Sequence, residues 1–188
     1  MIKLIFVTHP NVIIDPNKPI DEWKLSEEGI ERIQSLINVD IWQDVDMLFS
    51  SNEPKAITVA SKVAEKFNIY FPKENERYCL GEVRGRTFIP PEEFKQSTKI
   101  WFDNPDQKIN GRETRNETQE RIVSCVTEIL EDKQDKTIAI IGHGGTGTLL
   151  KCFIQSIEPS QNEDQTSQGH YFIADWSKKT LLTNWTKY

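Results

Sequence analysis

Two of the three histidines stand where a sheet protein would place a catalytic or anion-binding group. His9 follows the largely apolar run of residues 2–7, and His143 follows a similar run at residues 137–142. Both runs predict strands buried on both faces, as in a parallel sheet covered by helices. Because the carboxyl ends of such strands share one crevice, we expect the two imidazoles to face a common ligand.

Gly144, directly after His143, begins a predicted helix. The free backbone N–H groups and the positive dipole end of that helix would point into the same crevice. A pair of imidazoles beside a helix terminus suits an anion, and a phosphoryl group in particular. The third histidine, His170, precedes a predicted strand and is interpreted as an ordinary strand-end residue.

Strands and helices alternate along most of the chain, which predicts an α/β fold. We interpret residues 1–188 as one domain, in which residues 74–115 form an irregular insertion with a helix at 92–102. Asn116 with Gln119 resembles a capping box at a helix start. The other predicted strands are residues 46–50, 68–71 and a terminal hairpin of 171–176 and 180–185, and the other predicted helices begin near Ser26 and Glu53.

The composition fits a globular protein and excludes several classes of function. Of the 188 residues, 23 are Lys or Arg and 29 are Asp or Glu, which gives a net charge of −6. A chain without a basic surplus is not expected to bind nucleic acid, and no segment reaches the roughly 20 apolar residues of a membrane span. The cysteines at 79, 125 and 152 contain no Cys-x-x-Cys pair and predict free thiols. We therefore expect a cytoplasmic protein without a membrane partner.

Short motifs along nearly the whole chain resemble those of the histidine phosphatase (phosphoglycerate mutase-like) superfamily. The resemblance implies a three-layer α/β/α sandwich with a mostly parallel central sheet. In chain order, the matching segments are Thr8-His9-Pro10 for the family's Arg-His-Gly, Leu25-Ser26-Glu27-Glu28-Gly29 for its Leu-Thr-x-x-Gly, Ser50-Ser51-Asn52-Glu53-Pro54-Lys55-Ala56 for its Ser-Ser-Pro-Leu-x-Arg-Ala, Leu80-Gly81-Glu82 for its Leu-x-Glu, Gly111-Arg112-Glu113-Thr114 loosely for its Gly-Glu-Ser, and Gly142-His143-Gly144 for its late His-Gly.

The resemblance also implies phosphatase chemistry that uses no metal and no cofactor. A neutral His9 would attack phosphorus, which requires one free ring nitrogen and a backbone acceptor for the proton on the other. Water would then hydrolyse the phosphohistidine, with Glu82 first giving a proton to the leaving alkoxide and later taking one from water. His143 and cationic side chains would hold the phosphoryl oxygens. The implied partner is a small phosphorylated molecule.

The phosphate-binding positions depart from the family pattern. The arginine before the family's first histidine is Thr8 here, and its second phosphate-binding arginine is Lys55, which lacks a bidentate fork. Losing one charged donor can cost roughly 100-fold in rate. We therefore predict a weakened phosphatase rather than a mutase, with a catalytically inactive anion-binding or regulatory protein as the alternative. The expected phosphate-binding set is Thr8, Lys55, Arg84, Arg86 and Gly144, with Arg112 and Arg115 as further candidate cations.

Two other interpretations use the same residues. The run from Gly142 to Gly147 fits the dinucleotide fingerprint Gly-x-Gly-x-x-Gly. However, the acidic strand end at Asp175 lies too far along the chain to leave room for a second nucleotide-binding half. His9, His143 and Glu82 also offer ligand types that zinc accepts, although the chain has no His-Glu-x-x-His pair. A zinc hydrolase is therefore an alternative to phosphohistidine chemistry.

Overall fold

A six-stranded sheet organises the computed structural model, which describes residues 1–188. Strands β3, β2, β4 and β1 run parallel, whereas β5 is antiparallel to both β1 and β6. The sheet is therefore mostly parallel, as expected. In the sheet order β3-β2-β4-β1-β5-β6, the strands are β1 (Lys3–Thr8), β2 (Met47–Ser51), β3 (Glu76–Arg77), β4 (Thr137–Gly142), β5 (His170–Asp175) and β6 (Thr180–Lys187).

Helices cover both faces of the sheet and confirm the three-layer prediction. Successive side chains of β1 point to opposite faces. Ile5 and Val7 pack in one core with residues of α1 and α2, and Leu4 and Phe6 pack in a second core with residues of α3, α4 and α5. None of the helices has the length and apolar character needed to cross a bilayer. The helices are α1 (Glu27–Ile37), α2 (Pro54–Phe67), α3 (Pro91–Asp103), α4 (Arg115–Leu130) and α5 (Gly144–Gln155).

The predicted strand at residues 68–71 is wrong. Asn68 ends α2 in the left-handed conformation, with φ of 54°. Ile69 and Phe71 then pack against the core from a loop, without pairing to the sheet. The edge strand is instead β3, formed a few residues later. Residues 68–71 therefore contribute apolar side chains to the core although they do not form a strand.

The predicted insertion at residues 74–115 contains more regular structure than expected. It includes β3 and α3, and α3 extends the predicted helix at 92–102 by one residue at each end. The capping box of α4 is formed by Thr114 and Glu117. The Thr114 hydroxyl accepts from the Glu117 N–H at 3.0 Å, and the Glu117 carboxylate accepts from the Thr114 N–H at 2.8 Å. The predicted box at Asn116 is therefore two residues too late.

Cys79 and Cys125 form a disulfide, so the prediction of free thiols is wrong for these two residues. Their Cα atoms are 5.9 Å apart although 46 positions separate them in sequence. Cys79 lies in the short 3₁₀ turn Tyr78–Leu80, and Cys125 lies on α4. Cys152 is free and buried, and burial raises the pKa of its thiol to about 11. The fold brings Cys79 and Cys125 together, and no local sequence motif predicts their disulfide.

Reduction of this disulfide should lower the free energy of unfolding. A cross-link between positions so far apart restricts the unfolded chain, and the chain-entropy model puts the effect at about 4 kcal/mol. We expect reductant to lower the urea midpoint of the wild type, followed by circular dichroism, and Cys125→Ser to unfold at the lower midpoint with or without reductant. Cys152→Ala is the control and should respond to reductant as the wild type does. Equal wild-type midpoints with and without reductant would contradict the prediction.

Candidate active site

The two strand-end histidines converge, as the sequence predicts. Strands β1 and β4 are neighbours in parallel register, with Thr8 paired to Gly142. The residues that follow, His9 and His143, therefore leave the same edge of the sheet side by side. Their ring centroids are 5.2 Å apart, and both side chains are buried. The sheet itself thus fixes the distance between the two imidazoles.

His9 has the hydrogen bonding of a nucleophile. Its Nδ1 lies 2.8 Å from the carbonyl oxygen of Pro10. A carbonyl only accepts, so Nδ1 carries the proton and Nε2 keeps its lone pair. Burial, together with the charges of His143 and Lys55, lowers the pKa of His9 against the opposing effect of Glu82. The ring is therefore neutral near pH 7, with Nε2 facing the Glu82 carboxylate 3.7 Å away.

Glu82 reaches the histidines on a loop that α4 holds in place. The Arg121 guanidinium donates to the carbonyl oxygens of Cys79, Gly81 and Glu82 at 2.8, 3.2 and 3.0 Å. It also pairs with the Glu113 carboxylate at 2.6 Å. One cation on a helix thus holds three carbonyl groups of the loop, and the adjacent disulfide links the same loop to the same helix. Neither contact could be read from the motif that contains Glu82.

The Glu82 carboxylate is the centre of the charged cluster. Its Oε1 lies 3.5 Å from His143 Nδ1 and 3.8 Å from Lys55 Nζ, and its Oε2 lies 2.5 Å from Arg86. Burial alone would raise the pKa of this carboxyl group. The charges of Arg86 and Lys55 outweigh burial and hold the pKa of Glu82 well below its usual 4.5. In the ligand-free protein Glu82 is therefore ionised at neutral pH.

Glu53 is a site residue that the sequence did not single out. Its Oε2 lies 2.6 Å from Lys55 Nζ, and its Oε1 lies 3.5 Å from His143 Nε2 and accepts from the Glu82 N–H at 2.6 Å. Lys55 also donates to the carbonyl of Ile20 at 2.7 Å. The only signal for Glu53 was an acidic residue two positions before a lysine at a helix start. The predicted phosphate-binding lysine is thus already partnered in the ligand-free protein.

The site has the donor types of a metal centre, but its carboxylate donor already lies beside two cations. One nitrogen from each of His9 and His143 and one Glu82 oxygen lie within 4.8 Å of one another. Lys55 and Arg86 both lie beside the same carboxylate. Two cations at these distances oppose the entry of a third, because the site is largely shielded from water. The carboxylates paired with these cations balance their charge, so a metal ion at these donors would first have to displace a cation from Glu82.

Two adjoining cavities open onto this cluster. The smaller, of about 230 Å³, is lined by His9, Lys55 and Gly144, among others. The larger, of about 540 Å³, is lined mainly by polar residues, and Ile20, Glu82 and Arg86 line both. His9 lines only the smaller cavity, whereas Glu82 lines both.

Several predicted phosphate ligands lie elsewhere. The Thr8 hydroxyl is fully buried and hydrogen-bonds within the protein, so it does not contact an anion in the cavity. Arg84 stacks on the Tyr78 ring at 4.2 Å and lines only the larger cavity. Arg112 and Arg115 are buried and donate to backbone carbonyls near α3. Of the predicted cations, only Lys55 and Arg86 line the cavity that contains His9.

The remaining acidic and histidine candidates lie outside the cavity. Asp175 ends β5 opposite Lys3, at the other end of β1 from His9. This position does not fit the ribose contact of the dinucleotide interpretation. The His170 ring lies 3.3 Å from the Thr166 hydroxyl and does not line either cavity. His170 is therefore the strand-end residue that was predicted.

Comparison with known proteins gives a family match and several structures of similar fold. A model of the histidine phosphatase superfamily (branch 1) matches residues 19–180, a range that begins after His9. A mycobacterial glucosyl-3-phosphoglycerate phosphatase superposes with a TM-score of 0.73 at 16% identity, covering 98% of this chain and 95% of that chain. A phosphoserine phosphatase from Entamoeba histolytica, in complex with 3-phosphoglyceric acid, gives 0.74 at 17% identity over 100% and 98%. No curated protein sequence matches. At these identities the structures share the fold.

Proposed function

Because this chain belongs to the histidine phosphatase superfamily (branch 1), we propose that it hydrolyses a small phosphomonoester through a phosphohistidine on His9. The state of His9 carries the proposal. Its Nδ1 proton is held by the Pro10 carbonyl, and its Nε2 is free at the wall of a cavity that also contains Glu82 and Arg86. A neutral imidazole with one fixed proton is the form that attacks phosphorus.

Both proposed steps are displacements at phosphorus. In the first, the Nε2 lone pair of His9 forms a P–N bond, the P–O bond to the leaving group breaks, and Glu82 gives that oxygen a proton. In the second, water attacks phosphorus, the P–N electrons return to Nε2, and Glu82 takes a proton from the water. Arg86 and the N–H groups at the start of α5 stabilise the phosphoryl oxygens. Glu82 thus ends each cycle in its starting form.

Substrate binding supplies the proton that Glu82 needs. The carboxyl group is ionised in the ligand-free protein because Arg86 and Lys55 lie beside it. A phosphoryl group that binds Arg86 shares this positive charge, and its own negative charge favours a protonated neighbour. A phosphomonoester bound as the monoanion also carries one proton, which Glu82 can accept. Glu82 therefore becomes a general acid only when the substrate binds.

The larger cavity is the place for the rest of the substrate. Glu82 and Arg86 line both cavities, so a phosphoryl group at His9 directs its leaving oxygen past Glu82 into the larger one. Lys18, Asp21 and Arg84 line that cavity with both signs of charge. We propose that the leaving group is small and polar. A volume of about 540 Å³ is sufficient for a group of this kind.

The charge pairing in the site favours slow turnover and supports one alternative function. Lys55 is paired with Glu53, and Arg86 is paired with Glu82. A phosphoryl group has to compete with these carboxylates for both cations. If that competition prevented catalysis, the chain would be an inactive anion-binding protein on the same fold. The geometry of His9 favours the enzyme.

Turnover of an aryl phosphate, together with trapping of the intermediate, tests the proposed function. We expect release of the aryl alcohol in the presence of EDTA, and alkali-stable, acid-labile label on the protein after rapid quenching with a ³²P-labelled substrate. Activity that EDTA removes and zinc restores would support the zinc hydrolase instead. Phosphate binding without turnover or protein label would support the inactive anion-binding protein.

A further inference from the structure

We propose that the side-chain amide of Gln165 is a ligand of the phosphoryl group and that Thr8 is the positioning residue that holds it in place. Gln165 lies in the connection between α5 and β5 and lines the smaller cavity with His9. The inference rests on the proposed function, because it adds a ligand to the same anion site.

The orientation of the amide is set by Thr8. The Thr8 hydroxyl lies 2.7 Å from Gln165 Oε1, a separation typical of an O–H donor and a carbonyl acceptor. The amide oxygen therefore faces Thr8, and the NH₂ group faces Gly144. A Cβ placed on Gly144 would lie only 2.4 Å from Gln165 Nε2. The absence of a side chain at position 144 thus lets the NH₂ group approach the start of α5.

Both ends of Gln165 are fixed. The buried Thr8 hydroxyl also accepts from the His170 N–H at 3.0 Å, which anchors it on β5. The Gln165 backbone N–H donates to Asp164 Oδ1 at 2.8 Å, and the same oxygen accepts from the Thr148 hydroxyl of α5 at 2.7 Å. An amide held in this way loses little further freedom when it binds a ligand.

Gln165 provides donors that have no acceptor within the protein. Its NH₂ group makes no hydrogen bond within the protein. The Gly144 N–H is in the first turn of α5 and has no acceptor inside the helix. The nearby cations are different, since Lys55 and Arg86 are already paired with carboxylates. An oxygen between the amide and the helix start would therefore meet donors that need not first break an ion pair.

Binding of inorganic phosphate, and inhibition by orthovanadate as a mimic of pentacoordinate phosphorus, test the assignment. We expect Gln165→Leu to weaken both by about 10- to 100-fold, the loss of a hydrogen bond to a charged group. Gln165→Glu should bind still more weakly at pH 7, because it adds a negative charge, and should recover on acidification as the new carboxyl group becomes a neutral donor. Gln107→Leu, which changes an exposed glutamine that lines neither cavity, is the matched control and should bind as the wild type does.

Two further variants separate positioning from folding. Thr8→Val removes the hydroxyl that orients the amide and should weaken phosphate binding by roughly 10-fold. Because it also leaves the buried His170 N–H without an acceptor, its thermal unfolding is measured in parallel. Gly144→Ala leaves Gln165 and Thr8 intact but displaces the amide sterically, and should weaken phosphate binding by a similar factor.

The outcomes distinguish this inference from the proposed function. Gln165→Leu that unfolds as the wild type does and binds phosphate and vanadate within twofold of it would overturn the assignment. A wild type that binds phosphate without turning over substrate would refute the proposed function, while the binding series would still test Gln165. A wild type that binds neither anion would overturn both.

Discussion

His9→Ala should abolish turnover of an aryl phosphate while the cavity still binds inorganic phosphate. Removing a nucleophile leaves only the binding and electrostatic parts of catalysis, and we expect a loss of roughly 10⁵-fold. The label trapped on the protein with a ³²P-labelled substrate should disappear as well. Steady-state release of the aryl alcohol and calorimetric titration with phosphate measure the two effects separately.

His170→Asn is the matched control for a lost imidazole. The His170 ring contacts Thr166 and lines neither cavity, so turnover is expected to stay within a fewfold of the wild type. Equal rates for wild type and His9→Ala would assign the observed turnover to another residue or to a contaminant. Loss of phosphate binding along with turnover in His9→Ala would show that His9 builds the site rather than reacting in it.

Glu82→Gln should reduce kcat by about 10²- to 10⁴-fold for an alkyl phosphate, the usual range for a lost general acid. The reduction should be smaller for an aryl phosphate, because its leaving oxygen needs less help from a proton. The ratio of the two losses therefore measures proton donation, whereas an effect on folding or binding would lower both rates equally. Equal losses for the two substrates would remove Glu82 from the role of acid.

Glu82→Gln should also reverse the direction in which kcat/KM changes with pH. Burial lowers the pKa of His9 from 6.5, and the neighbouring charges outweigh burial to hold the pKa of Glu82 well below 4.5. The reactive form needs a neutral His9 and a protonated Glu82. Because the pKa of Glu82 is the lower of the two, the carboxyl group loses its proton before His9 does as pH rises. Expressed per concentration of substrate dianion, so that a proton brought by the substrate is counted with the enzyme, the wild-type kcat/KM should therefore fall as pH rises above 6.5.

Glu82→Gln removes one of these two requirements. Only a neutral His9 is then needed, so kcat/KM of the variant, again per substrate dianion, should rise with pH through the lowered pKa of His9 and level off above 6.5. A pH–rate profile of wild type and variant with the same aryl phosphate measures the difference. A profile that falls above pH 6.5 in both would show that another group limits the alkaline side.

Periodicity and motif order predicted the part of the site that the sheet determines. His9 and His143 follow adjacent parallel strands, so their convergence needed only the strand assignments and the rule for strand ends. Arg86, four residues after Glu82 and at the same cavity, was found because it lies near a motif residue in sequence.

The remaining site residues depend on contacts between distant segments. Gln165 meets Thr8 across nearly the whole chain, and neither position carries a pattern that points to the other. Arg121 acts on a loop some forty residues earlier. Glu53 was visible only as an acidic residue before a lysine at a helix start, where the family pattern has leucine. Its contacts with Lys55 and His143 depend on how that helix start lies beside β4.

The carboxylates that pair with Lys55 and Arg86 should also affect the release of inorganic phosphate after the reaction. Inorganic phosphate must separate Arg86 from Glu82 and Lys55 from Glu53, but it has no leaving group to contact the neighbouring larger cavity. A complete phosphomonoester has those additional contacts to offset the separation. The released product is thus the weaker competitor for its own site, and accumulation of phosphate should cause little product inhibition.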